Sequence, residues 1–184
     1  MTHKPLAALS TGFAIALVSV VAALAVAGPF QLAGKQLLAK TRPLYEAKAM
    51  NDSKTGEDKT IVDHGVLIHY MSAEERERSR VVIVAGTLHT SRGEPTPYGA
   101  DGDKLNYVMD TAGNFYLFNQ TGHPELRHSS FFSGGPVACA GNLEVRNGTI
   151  VHIDSNSGHY SPSGKMFQNA LAELKKDGVA PLTR

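Results

Sequence analysis

Seven histidines fall beyond the first sixty residues, at His64, His69, His89, His123, His128, His152 and His159. Neutral imidazole is a common ligand for zinc or copper, so the first chemistry to consider is metal binding. The spacing argues against it. His64 and His69 lie in a stretch that reads as a strand, where an odd separation sends side chains to opposite faces. Neither HExxH nor a paired Cys/His pattern is present. No metal site is expected.

The densest groups able to move protons or hydrogen-bond a ligand are His128-Ser129-Ser130 and Ser157-Gly158-His159-Tyr160. His128, His159 and Tyr160 are the candidate catalytic residues. Ser129, Ser130, Ser157, Gly134 and Gly135 are the candidate ligand-binding residues. A serine with a histidine and an acid such as Asp154 would make a nucleophilic triad, in which a base activates the hydroxyl and the acid orients the base. The sequence lacks the GxSxG elbow, and hydroxyls beside a histidine also serve turns and caps. Gly134-Gly135-Pro136 and Gly141 could let a ligand approach the main chain, but neither GxxxxGK[ST] nor GxGxxG accompanies them. A turn is the simpler reading. Cys139, the single cysteine, stands among small and apolar residues and reads as a buried side chain.

These residues need elements to hold them. Residues 60–71 and the apolar run 81–85 read as strands. Residues 74–78 alternate charge and suit a solvated helix or loop. The segment 90–104 is rich in glycine, proline and charge and longer than an ordinary turn, so either a functional loop or a disordered segment is expected there. Two hairpins follow: 106–110 with 115–118 around residues 111–114, and 143–146 with 149–154 around Asn147-Gly148, a type I′ pair. Ser161 is expected to cap a final helix with Pro162 in its first position. Met166, Phe167, Ala170, Leu171 and Leu174 mark that helix's apolar face, and Lys175, Lys176 and Gly178 mark its end. The expected fold class is α+β: a small antiparallel sheet built of hairpins, with the C-terminal helix packed on it, after an N-terminal apolar helix.

That N-terminal helix covers residues 6–27, which carry no charge. It reads as a signal sequence cut after Ala27, as an uncleaved anchor, or as a buried core helix. The expected organisation is residues 1–27 as signal or anchor, 28–59 as a helical or loop lead-in, and 60–184 as a single α+β domain. With 184 residues there is room for one core. A net charge of +1 gives no basic face for nucleic acid.

Residues 107–178 carry longer motifs: Phe115-Tyr116-Leu117, the run from His128-Ser129-Ser130-Phe131 through Gly134-Gly135 to Ala140-Gly141, and Ser157-Gly158-His159-Tyr160-Ser161-Pro162. In this order they resemble the domain shared by plant IQ-motif calmodulin-binding proteins and little-characterised fungal and bacterial relatives. The resemblance implies a common folded unit and places His128 and His159 beside glycines. It implies no known reaction. The IQ element is absent, so calmodulin binding is not carried over.

The function expected from all of this is an exported bacterial-type envelope or secreted domain. It would bind a protein, glycan or small-molecule ligand through the 90–104 loop and the His128 and His159 clusters. The alternative is a secreted enzyme, such as an ADP-ribosyltransferase-like toxin using His128, His159 and Tyr160; a structural envelope protein is a third reading. The location expected is secreted or periplasmic, or membrane-anchored with the domain outside the cytoplasm. Membrane contact would run only through residues 6–27.

Overall fold

A computed structural model describes residues 36–50, 62–63, 66–99, 103–180 and 182. The apolar segment 6–27, with its signal, anchor or helix reading, and His64 lie outside them.

Two short strands, β1 (Val62–Asp63) and β2 (Val66–Leu67), pair with each other. Helix α1 (Ala73–Ser79) follows and carries the charged run expected there. It begins at a capping box in which Ser72 Oγ accepts the Glu75 N–H at 3.2 Å and Glu75 Oε2 accepts the Ser72 N–H at 2.7 Å. Then come β3 (Arg80–Val84), β4 (Thr87–Thr90), β5 (Asp103–Met109), β6 (Phe115–Phe118), a 3-10 turn (His128–Phe132), β7 (Cys139–Arg146), β8 (Thr149–Ile153) and helix α2 (Gly164–Lys176).

The sheet is not an open set of hairpins. Six strands close into an antiparallel barrel in the order β3-β4-β8-β7-β5-β6, with β6 returning to β3. Closure rests on Thr87 opposite Thr149, reinforced by the Leu88 N–H on the Gly148 carbonyl at 2.8 Å. Strand β4 escaped the sequence reading because its turn from β3 is Ala85-Gly86, with φ of 49° and 81°. Alanine seldom adopts positive φ, so the pair does not announce a hairpin. Asn147-Gly148, at φ of 50° and 73°, forms the hairpin expected of it.

Alternation sorts the side chains. Leu105, Tyr107 and Met109 of β5 and Cys139, Leu143 and Val145 of β7 join Val81, Leu88, Phe115, Leu117 and Ile153 in the barrel core. Helix α2 adds Ala170 and Leu174, with Val179 just beyond it. A second apolar cluster lies outside the barrel, where Val108, Tyr116, Phe118 and Ala140 are covered by Leu126, Phe131, Val137 and Tyr160.

The cap of α2 is Ser163, whose Oγ accepts the Met166 N–H at 3.3 Å, and not Ser161. Ser161 has φ of 40°, outside the extended region an N-cap needs. It closes the preceding turn with its N–H on the Ser157 carbonyl at 2.7 Å. Residues 36–48 run along the barrel as a strap: Leu37 bonds Ser91, Leu44 and Tyr45 bond Thr111, and Lys48 exchanges bonds with Val137. Buried Arg80, paired with Glu77, also holds the Leu37 carbonyl.

Candidate functional site

The outer face of β5 and β7 changes character along its length. Val108 stands opposite Ala140 and is covered, whereas Asn106 stands opposite Asn142 and both stay half-exposed. The polar half floors a groove of ≈ 390 Å³, bounded by Lys104, Asn106, Asn142, Glu144, His152 and Asp154, with residues 120–121 along one side. Its floor is an amide ladder. Asn106 Nδ2 donates to Asn142 Oδ1 at 3.3 Å. Asp154 Oδ1 accepts the Asn142 N–H at 2.9 Å, its amide Nδ2 at 3.2 Å and the Asn156 N–H at 2.8 Å.

His128, first residue of the 3-10 turn, stands at the seam between the two halves. Its Nε2 lies 2.9 Å from the Gly141 carbonyl, which can only accept, so Nε2 carries the proton. Its Nδ1 then accepts from Ser157 Oγ at 3.2 Å. Burial pushes its pKa down to about 4, so the ring is neutral at pH 7.

The remaining expected site residues divide. His128 and Ser157 are together, but the position an acid would hold is taken by the Gly141 carbonyl, while the Asp154 carboxylate holds Asn142. Tyr160 is fully buried and donates its hydroxyl to the Gly135 carbonyl at 2.9 Å. His159 is half-exposed. Ser129 and Ser130 are fully buried. Ser130 Oγ accepts the Arg127 N–H at 2.9 Å, and the Ser129 carbonyl accepts the Gly134 N–H at 2.9 Å. Gly135 returns its N–H to the Phe132 carbonyl at 2.8 Å, so this glycine pair closes the 3-10 turn. Cys139 is buried beside the Tyr107 hydroxyl at 3.3 Å, and burial pushes its thiol pKa up.

Sequence reasoning missed Asn106 and Asn142. The signal was the interruption of an otherwise apolar outer strand face by one polar position on each of two neighbours. It also missed Glu173, buried on α2. Tyr45 donates to this carboxylate, as do Lys40 Nζ at 2.7 Å and Lys176 Nζ at 2.9 Å. Burial opposes its ionisation, but the hydrogen bonds from Lys40, Tyr45 and Lys176 outweigh that and bring its pKa down to about 2. The cluster fastens the strap to α2.

A closed six-stranded antiparallel barrel with a C-terminal helix, bound together by the two histidine-containing motifs, is therefore the class of domain at hand. The chain belongs to the family of the IQ motif-containing protein middle domain, whose model matches residues 75–167. It is 34% identical over 116 residues to IQ domain-containing protein IQM3 of Arabidopsis thaliana, covering 61% of this chain and 25% of the relative. It is 32% identical over 113 residues to IQ domain-containing protein IQM1 of the same plant, covering 61% and 23%. The chain thus spans about a quarter of the length of the curated relatives it matches. No solved structure matches it.

These matches overturn the expectation of an exported bacterial-type envelope or secreted domain, and its toxin-like enzyme alternative, because the relatives are IQ domain-containing proteins of a plant. The signal-peptide, secreted, periplasmic and membrane-anchored readings fall with it. No helix among the described residues is long and apolar enough to cross a membrane.

Proposed function

We propose that the barrel is a protein-recognition module whose polar groove on β5, β7 and β8 receives an extended segment of a partner protein. The observation that carries this is the Asn106–Asn142–Asp154 ladder. Its side chains are fixed by one another and by strand backbone, so they offer donors and acceptors at little ordering cost. Side-chain amides and carboxylates complement peptide N–H and C=O groups, and Lys104 and Glu144 add charges of both signs at the edge. Membership among IQ domain-containing proteins supports a protein partner over a glycan or small molecule.

In this reading His128, Ser157 and Tyr160 act as positioning residues. They tie the two motifs together behind the groove, and Ser129, Ser130, Gly134 and Gly135 shape the turn that carries His128. Residues 60–184 form the proposed domain, with 28–59 as its lead-in.

The test is selection of binding peptides on the full chain, followed by affinity measurement on Asn142→Leu and Asp154→Ala. Peptides whose binding drops at least about tenfold in both variants, a loss of ~1.4 kcal/mol, support the groove. Peptides that bind both variants as tightly as the wild type would refute it.

A further inference from the structure

The groove on β5, β7 and β8 carries its polar side chains in two rows. Strand pairing puts Lys104 opposite Glu144 and Glu144 opposite His152 in one row. Asn106 stands opposite Asn142 in the next, where Asp154 completes the row. Charge is matched differently in the two.

In the first row Glu144 is answered from its own strand. Its Oε1 accepts Arg146 Nε at 2.8 Å and lies 2.6 Å from Arg146 Nη2. In the second row Asp154 is half-buried, and its carboxylate meets only neutral amide donors. No lysine, arginine or histidine among the described residues forms an ion pair with it. A carboxylate partly withdrawn from water with no cation beside it leaves an uncompensated negative charge, so the floor of the groove attracts a positive group.

The two oxygens of Asp154 are not equivalent. Oδ1 accepts the Asn142 N–H at 2.9 Å, the Asn142 amide at 3.2 Å and the Asn156 N–H at 2.8 Å, which fills its lone pairs. Oδ2 has one long contact, 3.4 Å from the same Asn142 amide nitrogen. Oδ2 is therefore the atom with acceptor capacity to spare. An arginine gains its advantage by gripping both oxygens of a carboxylate with two parallel bonds. A lysine ammonium is a compact point charge and needs only one.

We infer, on the basis of the groove as a protein-recognition site, that the bound partner segment seats a lysine ammonium on Oδ2 of Asp154. Asp154 then sets the specificity of the groove. Lys104 lies at the diagonally opposite corner, on β5 and in the other row. It repels a lysine placed in the wrong register and so favours one direction of binding.

The test uses the full chain and pools of hexapeptides, acetylated and amidated at their ends, with one position at a time fixed as lysine, arginine, acetyl-lysine or norleucine. Fluorescence polarisation measures each affinity. At one position the lysine pool is expected to bind best, with acetyl-lysine and norleucine weaker by about tenfold or more and arginine between them. In Asp154→Asn, which keeps an oxygen for the Asn142 and Asn156 N–H groups, the four pools should bind alike. Circular dichroism checks that each variant is folded. Pools that lose binding in Asn142→Leu but show no preference for lysine overturn the lysine contact and leave the groove standing. Arginine bound as tightly as lysine, or a lysine preference that survives Asp154→Asn, also overturns the contact. No binding, or binding that Asn142→Leu leaves untouched, overturns the groove reading and the lysine contact with it.

Discussion

Ser157 Oγ lies 3.2 Å from Nδ1 of His128, and this contact fastens the SGHYSP segment to the 3-10 turn. With Nε2 on the Gly141 carbonyl, one imidazole joins three parts of the chain. Burial keeps that ring neutral at pH 7.

Stability should therefore fall on mild acidification. The folded pKa of about 4 lies below the ordinary histidine value, so between them the unfolded chain binds the proton and the folded chain does not. The contribution is fully present above pH 6.5 and is lost progressively as the pH drops toward 4, by up to about 3 kcal/mol. Urea unfolding at pH 7.5, 5.5 and 4.5 measures it. His128→Gln should flatten this part of the profile, and an unchanged slope would count against a buried neutral His128.

Glu173 adds a separate step at lower pH. Its pKa is depressed to about 2 in the folded state, so its stabilisation is complete above the ordinary carboxylate range and disappears as the pH falls through 2. Glu173→Gln should cost about 2 kcal/mol at pH 7. It should also speed amide exchange at Leu44, Tyr45 and Lys48, whose N–H groups hold the strap. Exchange there that stays at wild-type rates would mean the cluster does not fasten the strap.

Asp110 holds the turn between β5 and β6. Its Oδ1 accepts the Ala112 and Asn114 N–H groups, both at 2.9 Å, and its Oδ2 accepts the Asn114 amide at 2.8 Å and the Tyr116 hydroxyl at 3.1 Å. Asp110→Ala is expected to lose on the order of 3 kcal/mol in chemical denaturation, and Asp110→Asn less.

At Gly141 an added Cβ would lie 2.2 Å from the Asp154 carbonyl oxygen and 2.8 Å from the Ser155 Cα. Both are backbone atoms, so no side chain can move aside. Gly141→Ala should destabilise by about 3 kcal/mol or more, read as a lowered melting temperature. A variant as stable as the wild type would show that the β7 and β8 segments can separate there without cost.

Much of the local structure was legible in the sequence. Asn147-Gly148 fixed a hairpin because both residues accept positive φ, and residues 166–174 declared a helix face by their spacing. The two long motifs identified the family. These signals are short-range: each depends on neighbours within a turn or a strand. Barrel closure depends on Thr87 meeting Thr149, and no local pattern encodes that meeting. Burial and partners at His128 decide its protonation, and they come from β7 and the segment after β8. Contacts between distant segments follow the same rule: the His69 N–H meets the Glu125 carbonyl, and no spacing along the chain encodes that meeting because the fold alone brings the two backbones together.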